Sequence, residues 1–248
     1  MDIAHSQLHY ASTLDRMVAP GATWLDIGCG RQILPDWAMS PSRQRALVAR
    51  ASLLVGMDVD RSMLEHPLLH QRVIGFGEDM PFAAQTFDLI TANMVFEHVA
   101  DPRQVLREVR RILKPGGRLV FHTPNLHNYL VALASLAPDS LKRLAARWLE
   151  GRREEDVFPT LYRLNTVQAI RLAAGAFGFE AECISTNVSA GIFYTLGPLG
   201  WLECLWMKLI TVMGRGDWDI GMIVSLRRPS KAKVAGVPTV AAQHSHAA

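Results

Sequence analysis

The chain has 248 residues, of which 49% are hydrophobic, 20% charged and 8% aromatic. That composition excludes general disorder, and a chain of this length buries roughly 70–75% of its unfolded surface without cross-links. The formal charge is +3, but the acids stop at Asp219 while Arg227, Arg228, Lys231 and Lys233 follow, so the rest of the chain is within one charge of neutral and nucleic-acid binding through a basic face is not expected.

Residues 5–19 predict an amphipathic helix closed by Pro20-Gly21. The stretch ahead of it has neither a basic n-region nor an apolar h-region, so no secretory signal is expected. Short apolar runs at Thr23–Ile27, Leu53–Asp58, Arg72–Phe76 and Phe87–Ala92 predict four strands. Val105, Leu106, Val109, Ile112 and Leu113 recur at helical spacing within Asp101–Leu113, and Lys114-Pro115-Gly116-Gly117 stops that helix. Arg118–Thr123 predicts a fifth strand. Residues 126–165 are a polar, Arg-rich and helical insertion. Val167–Phe177 then predicts a helix closed by Gly178, Glu180–Thr186 a sixth strand and Ile220–Leu226 a seventh. Strands alternating with helices mean an α/β fold with a mainly parallel sheet. Gly191–Gly214 is apolar, but Glu203 and Lys208 interrupt it, so a spanning helix is not expected. Cys29, Cys183 and Cys204 lie far apart, without a CxxC pair, so the expected location is a reducing cytoplasm. One domain is expected over 1–228, followed by a disordered tail at 229–248.

Two turns carry the chemistry. Asp26-Ile27-Gly28-Cys29-Gly30 follows the first strand. Its glycines let backbone approach a ligand, and a helix N-terminus behind them would favour a carboxylate. Ile33 stands where a dinucleotide fingerprint needs its last glycine. Asp26 suits an ammonium, directly or through water. A carboxylate with an ammonium is an amino acid, although a plain tight turn would use the same glycines. Asp58 ends the second strand, where an acid accepts hydrogen bonds from ribose hydroxyls or caps the next helix. Together the turns describe a nucleoside carrying an amino acid, S-adenosylmethionine (SAM).

With WLDIGCG at 24–30, VGMDVD at 55–60, MPFAAQTFDLITANMVFEHV at 80–99 and LREVRRILKPGGRLVFHTPN at 106–125, the chain resembles the class I SAM-dependent methyltransferases of the small-molecule, type 11-like kind. The resemblance is strong over residues 20–125. It implies a Rossmann-like, seven-stranded, mainly parallel sheet with helices on both faces and an antiparallel final hairpin, plus a helical acceptor-side insertion. It places Asp26, Gly28 and Gly30 at the methionine end, Asp58 at the ribose, Gly77 and Glu78 at adenine, and Asn93 at the methionine portion. Three departures stand out. Gln32 replaces a third glycine, Phe76 stands where the family usually has an Asp, and extra residues fall within Pro35–Arg50.

Methyl transfer from a sulfonium depends mainly on positioning, and a base is needed only for a protonated acceptor. His98, after the fourth strand, suits that role; alternatively Glu97-His98 orders the loop. The same pair is too few ligands for a metal, and none is expected. His122, Asn125, His127 and Tyr129 line the acceptor side or make structural hydrogen bonds. Residues 126–165 and 187–214 are the acceptor-side and lid elements. Gly191–Gly214, with Trp201 and Trp206, covers the sheet, joins an oligomer, or makes a peripheral membrane or lipid-substrate contact. The expected function is SAM-dependent methylation, at oxygen, of a small molecule or a glycan or lipid intermediate. The alternative is a non-catalytic SAM-binding regulatory or scaffold domain.

Overall fold

A computed structural model describes residues 6–128, 131–132, 159–187, 201, 205, 209 and 221–230. Its strands are β1 (Thr23–Ile27), β2 (Leu53–Asp58), β3 (Gln71–Ile74), β4 (Phe87–Asn93), β5 (Leu113–Pro124), β6 (Glu180–Asn187) and β7 (Gly221–Arg227). Helices α1 (Ser6–Met17), α2 (Pro41–Val48), α3 (Pro102–Ile112) and α4 (Val167–Ala176) pack against them, and a 3-10 turn covers Arg61–Glu65. The strands form one seven-stranded sheet in the order β3-β2-β1-β4-β5-β7-β6. The first five are parallel, and β7 runs antiparallel to both β5 and β6.

Alternation along each strand sorts the core into two layers. Leu25, Ile27, Val55, Met57, Ile90, Ala92, Leu119 and Phe121 point to one face, where Val105, Leu106 and Val109 of α3 and Ile170 and Ala174 of α4 cover them. Trp24, Leu54, Leu89 and Val120 point to the other face, beneath Tyr10, Ala11 and Leu14 of α1 and Leu47 and Val48 of α2. Helix α3 starts where Pro102 occupies its first turn and the Asp101 carboxylate accepts from the amides of Arg103 and Gln104, which satisfies donors that have no partner within the helix.

Three elements differ from expectation. The fifth strand starts at Leu113, not Arg118, because Leu113 pairs with Phe87 before the register jumps to Leu89 and Arg118. The Lys-Pro-Gly-Gly run therefore bulges out of a strand rather than only ending a helix. Lys114 Nζ donates to Asp88 Oδ2 at 2.7 Å, and Gly116 and Gly117 exchange backbone hydrogen bonds with Arg228. Phe76 lies beyond β3, in an isolated bridge with Asp79. Asn93 is the last residue of β4 rather than past it. Of the 126–165 insertion, residues 129–130 and 133–158 lie outside the described residues, as do most of Gly191–Gly214 and the tail from 231. No helix among the described residues is long and apolar enough to cross a membrane.

The buried Phe121 ring sits 4.4 Å, centroid to centroid, from Phe96. Phe121→Ala is expected to cost about 3–5 kcal/mol through lost contact and a residual cavity, measured by urea unfolding. A loss under about 1 kcal/mol would show that the layer closes without it.

Candidate active site

The site begins at the carboxyl ends of β1 and β2. Gly28 and Gly30 adopt left-handed φ angles of +64° and +49°, a conformation open to glycine at little cost. Gly28 also lies against the β4 loop, and a Cβ there would come 2.4 Å from Val95 Cγ2. Its amide donates to Met57 O at 2.7 Å. The Gly30 amide donates to Asp58 Oδ2 and the Asp60 amide to Asp58 Oδ1, both at 2.9 Å. One carboxylate thus holds the two turns together.

These turns open onto a cavity of about 790 Å³. Gly28, Gly30, Asp58, Gly77, Glu78 and His98 all line it, so six of the eight residues expected at the site share one wall. Phe76 and Val59, which the sequence did not mark for binding, line it too and are 66% and 43% exposed. An open Phe76 ring and the Val59 methyls in a concave site suit a planar ring. The lost Asp at position 76 leaves the wall apolar. Pro159 and Leu161 line the cavity from a distant part of the chain, and no local motif announces them.

Asp26 and Asn93 are not among the lining residues. Both lie on the α1 face of the sheet, at strand ends next to the turn. Asp26 is buried. Thr91 Oγ1 donates to Asp26 Oδ1 at 2.5 Å and accepts from Trp24 Nε1 at 2.7 Å. Burial pushes the Asp26 carboxyl up to about 7, against the Thr91 hydrogen bond and helped by the charge of Asp58. Asn93 Nδ2 donates to Gln7 Oε1 at 3.1 Å, and Asn93 Oδ1 lies 2.9 Å from His122 Nδ1. The Tyr10 ring stacks on His122 with centroids 5.6 Å apart, and burial raises the Tyr10 phenol well above its usual range. Gln7 and Tyr10 were missed because the residues of the first helix carry no signal of which strand ends they will cover.

The helix N-terminus expected directly behind the glycines is absent. The chain makes irregular turns to Pro41 before α2 begins, and the Ser40 hydroxyl caps that helix. The cation beside the turn is Arg31, which lines the cavity and meets Glu65 at 3.3 Å.

His98 Nδ1 lies 2.9 Å from the Pro159 carbonyl oxygen. A carbonyl only accepts, so the proton of the neutral ring sits on Nδ1 and the lone pair on Nε2. Glu97 Oε1 is 3.9 Å from that Nε2, and the Glu97 side chain is 3% exposed. Among the described residues no group of three or more His, Cys, Asp or Glu is placed to hold a metal. His122 and Asn125 are buried and do not line this cavity, and Tyr129 lies outside the described residues.

The family model described as a methyltransferase domain matches residues 4–184. The chain belongs to the class I SAM-dependent methyltransferases. It is 30% identical over 145 residues to the ubiquinone biosynthesis O-methyltransferase of Pseudomonas putida, covering 54% of this chain and 57% of that one. It is 26% identical over 170 residues to malonyl-[acyl-carrier protein] O-methyltransferase 1 of Coxiella burnetii, covering 68% and 56%. The chain thus spans little more than half the length of the curated relatives it matches. The crystal structure of an S-adenosylmethionine-dependent methyltransferase from Mesorhizobium loti shares the fold at a TM-score of 0.52 and 21% identity, covering 88% of this chain and 96% of that one.

The residues present fit the family's cofactor. The glycine turn, the Asp58 carboxylate, the exposed Phe76 and Val59 and the Arg31 guanidinium all line one cavity, and together they offer the kinds of group that an amino acid, a ribose and a base require.

Asp26 also sets a pH dependence. Its unfolded carboxyl ionises near 4, whereas the buried one holds its proton to about 7. The native state therefore binds more protons between those values, and stability falls as pH rises through them. Asp26→Asn removes this contribution and leaves an oxygen to accept from Thr91. Between about pH 5 and 8 the wild type is expected to lose about 2–4 kcal/mol relative to the variant, each tenfold change in proton affinity being worth ~1.4 kcal/mol. Urea unfolding across that range measures it, and parallel curves would contradict the assignment.

Proposed function

We propose that this methyltransferase methylates an oxygen of a small-molecule, glycan-intermediate or lipid-intermediate acceptor. One observation carries the reading: a histidine whose neutral tautomer presents Nε2 as proton acceptor lines the same cavity as the glycine turns and Asp58. A scaffold domain has no use for a base held in that state. The names of two relatives, both O-methyltransferases, support oxygen as the acceptor atom.

Bound in the cavity, SAM supplies an electrophilic methyl on a sulfonium. Asp58 would accept from the ribose hydroxyls with the lone pairs that the Gly30 and Asp60 amides leave over. Gly77 and Glu78, with the apolar Phe76 and Val59, would hold the base. Gly28 and Gly30 would admit the methionine end, Arg31 would meet its carboxylate, and Asp26 behind the turn, once ionised, would balance its ammonium, with Asn93 beside it. When the acceptor oxygen displaces the thioether of SAM from the methyl carbon, breaking the carbon–sulfur bond, His98 Nε2 would take the acceptor's hydroxyl proton and the Glu97 carboxylate would stabilise the resulting imidazolium.

Trp201, Leu205 and Leu209 are exposed and helical. Their four-residue spacing puts them on one side of a helix. This supports a surface contact through 191–214, with a membrane or another chain.

Asp58→Ala is expected to weaken SAM binding by about tenfold or more in calorimetry, since it removes charge-assisted hydrogen bonds; unchanged affinity would sink the ribose assignment. His98→Ala is expected to lower kcat by about 10²–10⁴-fold while SAM affinity holds. Isotopically labelled SAM incubated with a cell extract and the wild-type enzyme identifies the acceptor by its labelled product, which also serves as substrate for the variant.

A further inference from the structure

Residues 159–165 form a strap beside the cavity, held at both ends and in the middle. At one end the Pro159 carbonyl accepts a hydrogen bond from His98 Nδ1 at 2.9 Å. In the middle the amides of Leu161 and Tyr162 both donate to the Glu97 carbonyl, at 2.6 and 3.1 Å, and Arg163 Nη1 donates to Ala100 O at 2.6 Å. At the other end Asn165 Nδ2 donates to Thr123 Oγ1 at 2.7 Å and to Pro124 O at 3.0 Å. The Leu126 amide donates back to Asn165 O at 2.8 Å. Thr123 has a single hydroxyl proton, and it goes to Glu97 Oε2 at 3.1 Å. A buried chain of hydrogen bonds therefore runs from Asn165 through Thr123 to Glu97, next to His98.

The strap decides a contest at the imidazole. A neutral histidine carries its proton on one nitrogen only. Glu97 Oε1, at 3.9 Å from Nε2, favours the proton there but is too far for a hydrogen bond. The Pro159 carbonyl is within hydrogen-bond distance of Nδ1 and wins. Should the carbonyl move, the carboxylate would draw the proton to Nε2, and that nitrogen could no longer accept one. The base therefore depends on where Pro159 is held.

Asn165 carries the cost of holding it. Its amide is oriented by two acceptors, so both donors are used and Oδ1 is left buried with no hydrogen-bond partner. A buried unpaired carbonyl costs roughly 1–3 kcal/mol. An apolar residue would avoid that cost but could not tie the strap to β5, which argues that the amide is there for position rather than stability.

We propose that Asn165 is a positioning residue for His98: through Thr123 and Glu97 it fixes the strap so that the Pro159 carbonyl sets the Nδ1–H tautomer. The inference builds on His98 as the base of the proposed reaction, yet its test needs no acceptor. Nitrogen-15 spectroscopy of the full-length protein, at a pH where the ring is neutral, reports which nitrogen of His98 is protonated. Wild type is expected to show Nδ1–H alone. Asn165→Ala is expected to show a mixture or Nε2–H, with Leu161 and Tyr162 amides exchanging with solvent about tenfold faster and SAM affinity unchanged in calorimetry. Thr123→Val cuts the same chain with a side chain of nearly equal shape, and should shift the tautomer in the same way if Asn165→Ala does not fold. An Nε2–H wild type, or folded variants that keep Nδ1–H, would overturn the proposal. Normal turnover by His98→Ala would instead remove the base and leave the tautomer result standing.

Discussion

Strand β1 pairs along its length with β2 on one side and β4 on the other. Each of those parallel connections must cross right-handedly, so the chain leaving β1 and the chain leaving β4 turn to opposite faces of the sheet. A crevice opens between them at the carboxyl edge, and nothing in the sheet itself can fill it. The glycine turn, the β4 loop and the cavity all follow from this reversal of strand order. So does the close approach of Gly28 to Val95, two segments that are distant in sequence but adjacent in the crevice.

Two kinds of environment meet at that edge. On the α3 and α4 face the crevice is open, lined by Phe76, Val59 and His98. On the α1 face the corresponding strand ends are closed over. Trp24, Asp26, Thr91, Asn93, Gln7 and His122 satisfy one another there through Trp24–Thr91–Asp26 and Gln7–Asn93–His122 contacts. Burying a carboxylate in that layer is unfavourable until an opposite charge arrives. The tension at Asp26 is the pattern expected where binding, rather than folding, selects a residue.

The 159–165 strap extends the same logic to the acceptor side. It joins the loop after β4 to the end of β5, on the β4 side of the crevice. The geometry of His98 is then set by groups more than sixty positions along the chain, and none of them is a motif residue.

The short apolar runs around WLDI and FDLITAN, helical spacing in VLREVRRI and the glycines at 28 and 30 determined the strand and helix positions, the α/β class and most of the cavity wall. These features act between near neighbours, and sequence spacing records that kind of interaction directly. The bulge at Lys114–Gly117 was misread as a simple stop because its cause lies elsewhere, in Asp88 and Arg228. The missing helix behind the glycine turn was misread because Pro41, eleven positions past Gly30, sets where α2 begins. Only the tertiary structure could decide that Asp26 faces Thr91 beneath Tyr10, that Gln7 reaches Asn93, and that Pro159 chooses the proton position on His98. Those outcomes depend on which element packs over a given strand end, and in a buried site it is the partner brought across space, not the neighbour in sequence, that fixes charge and tautomer.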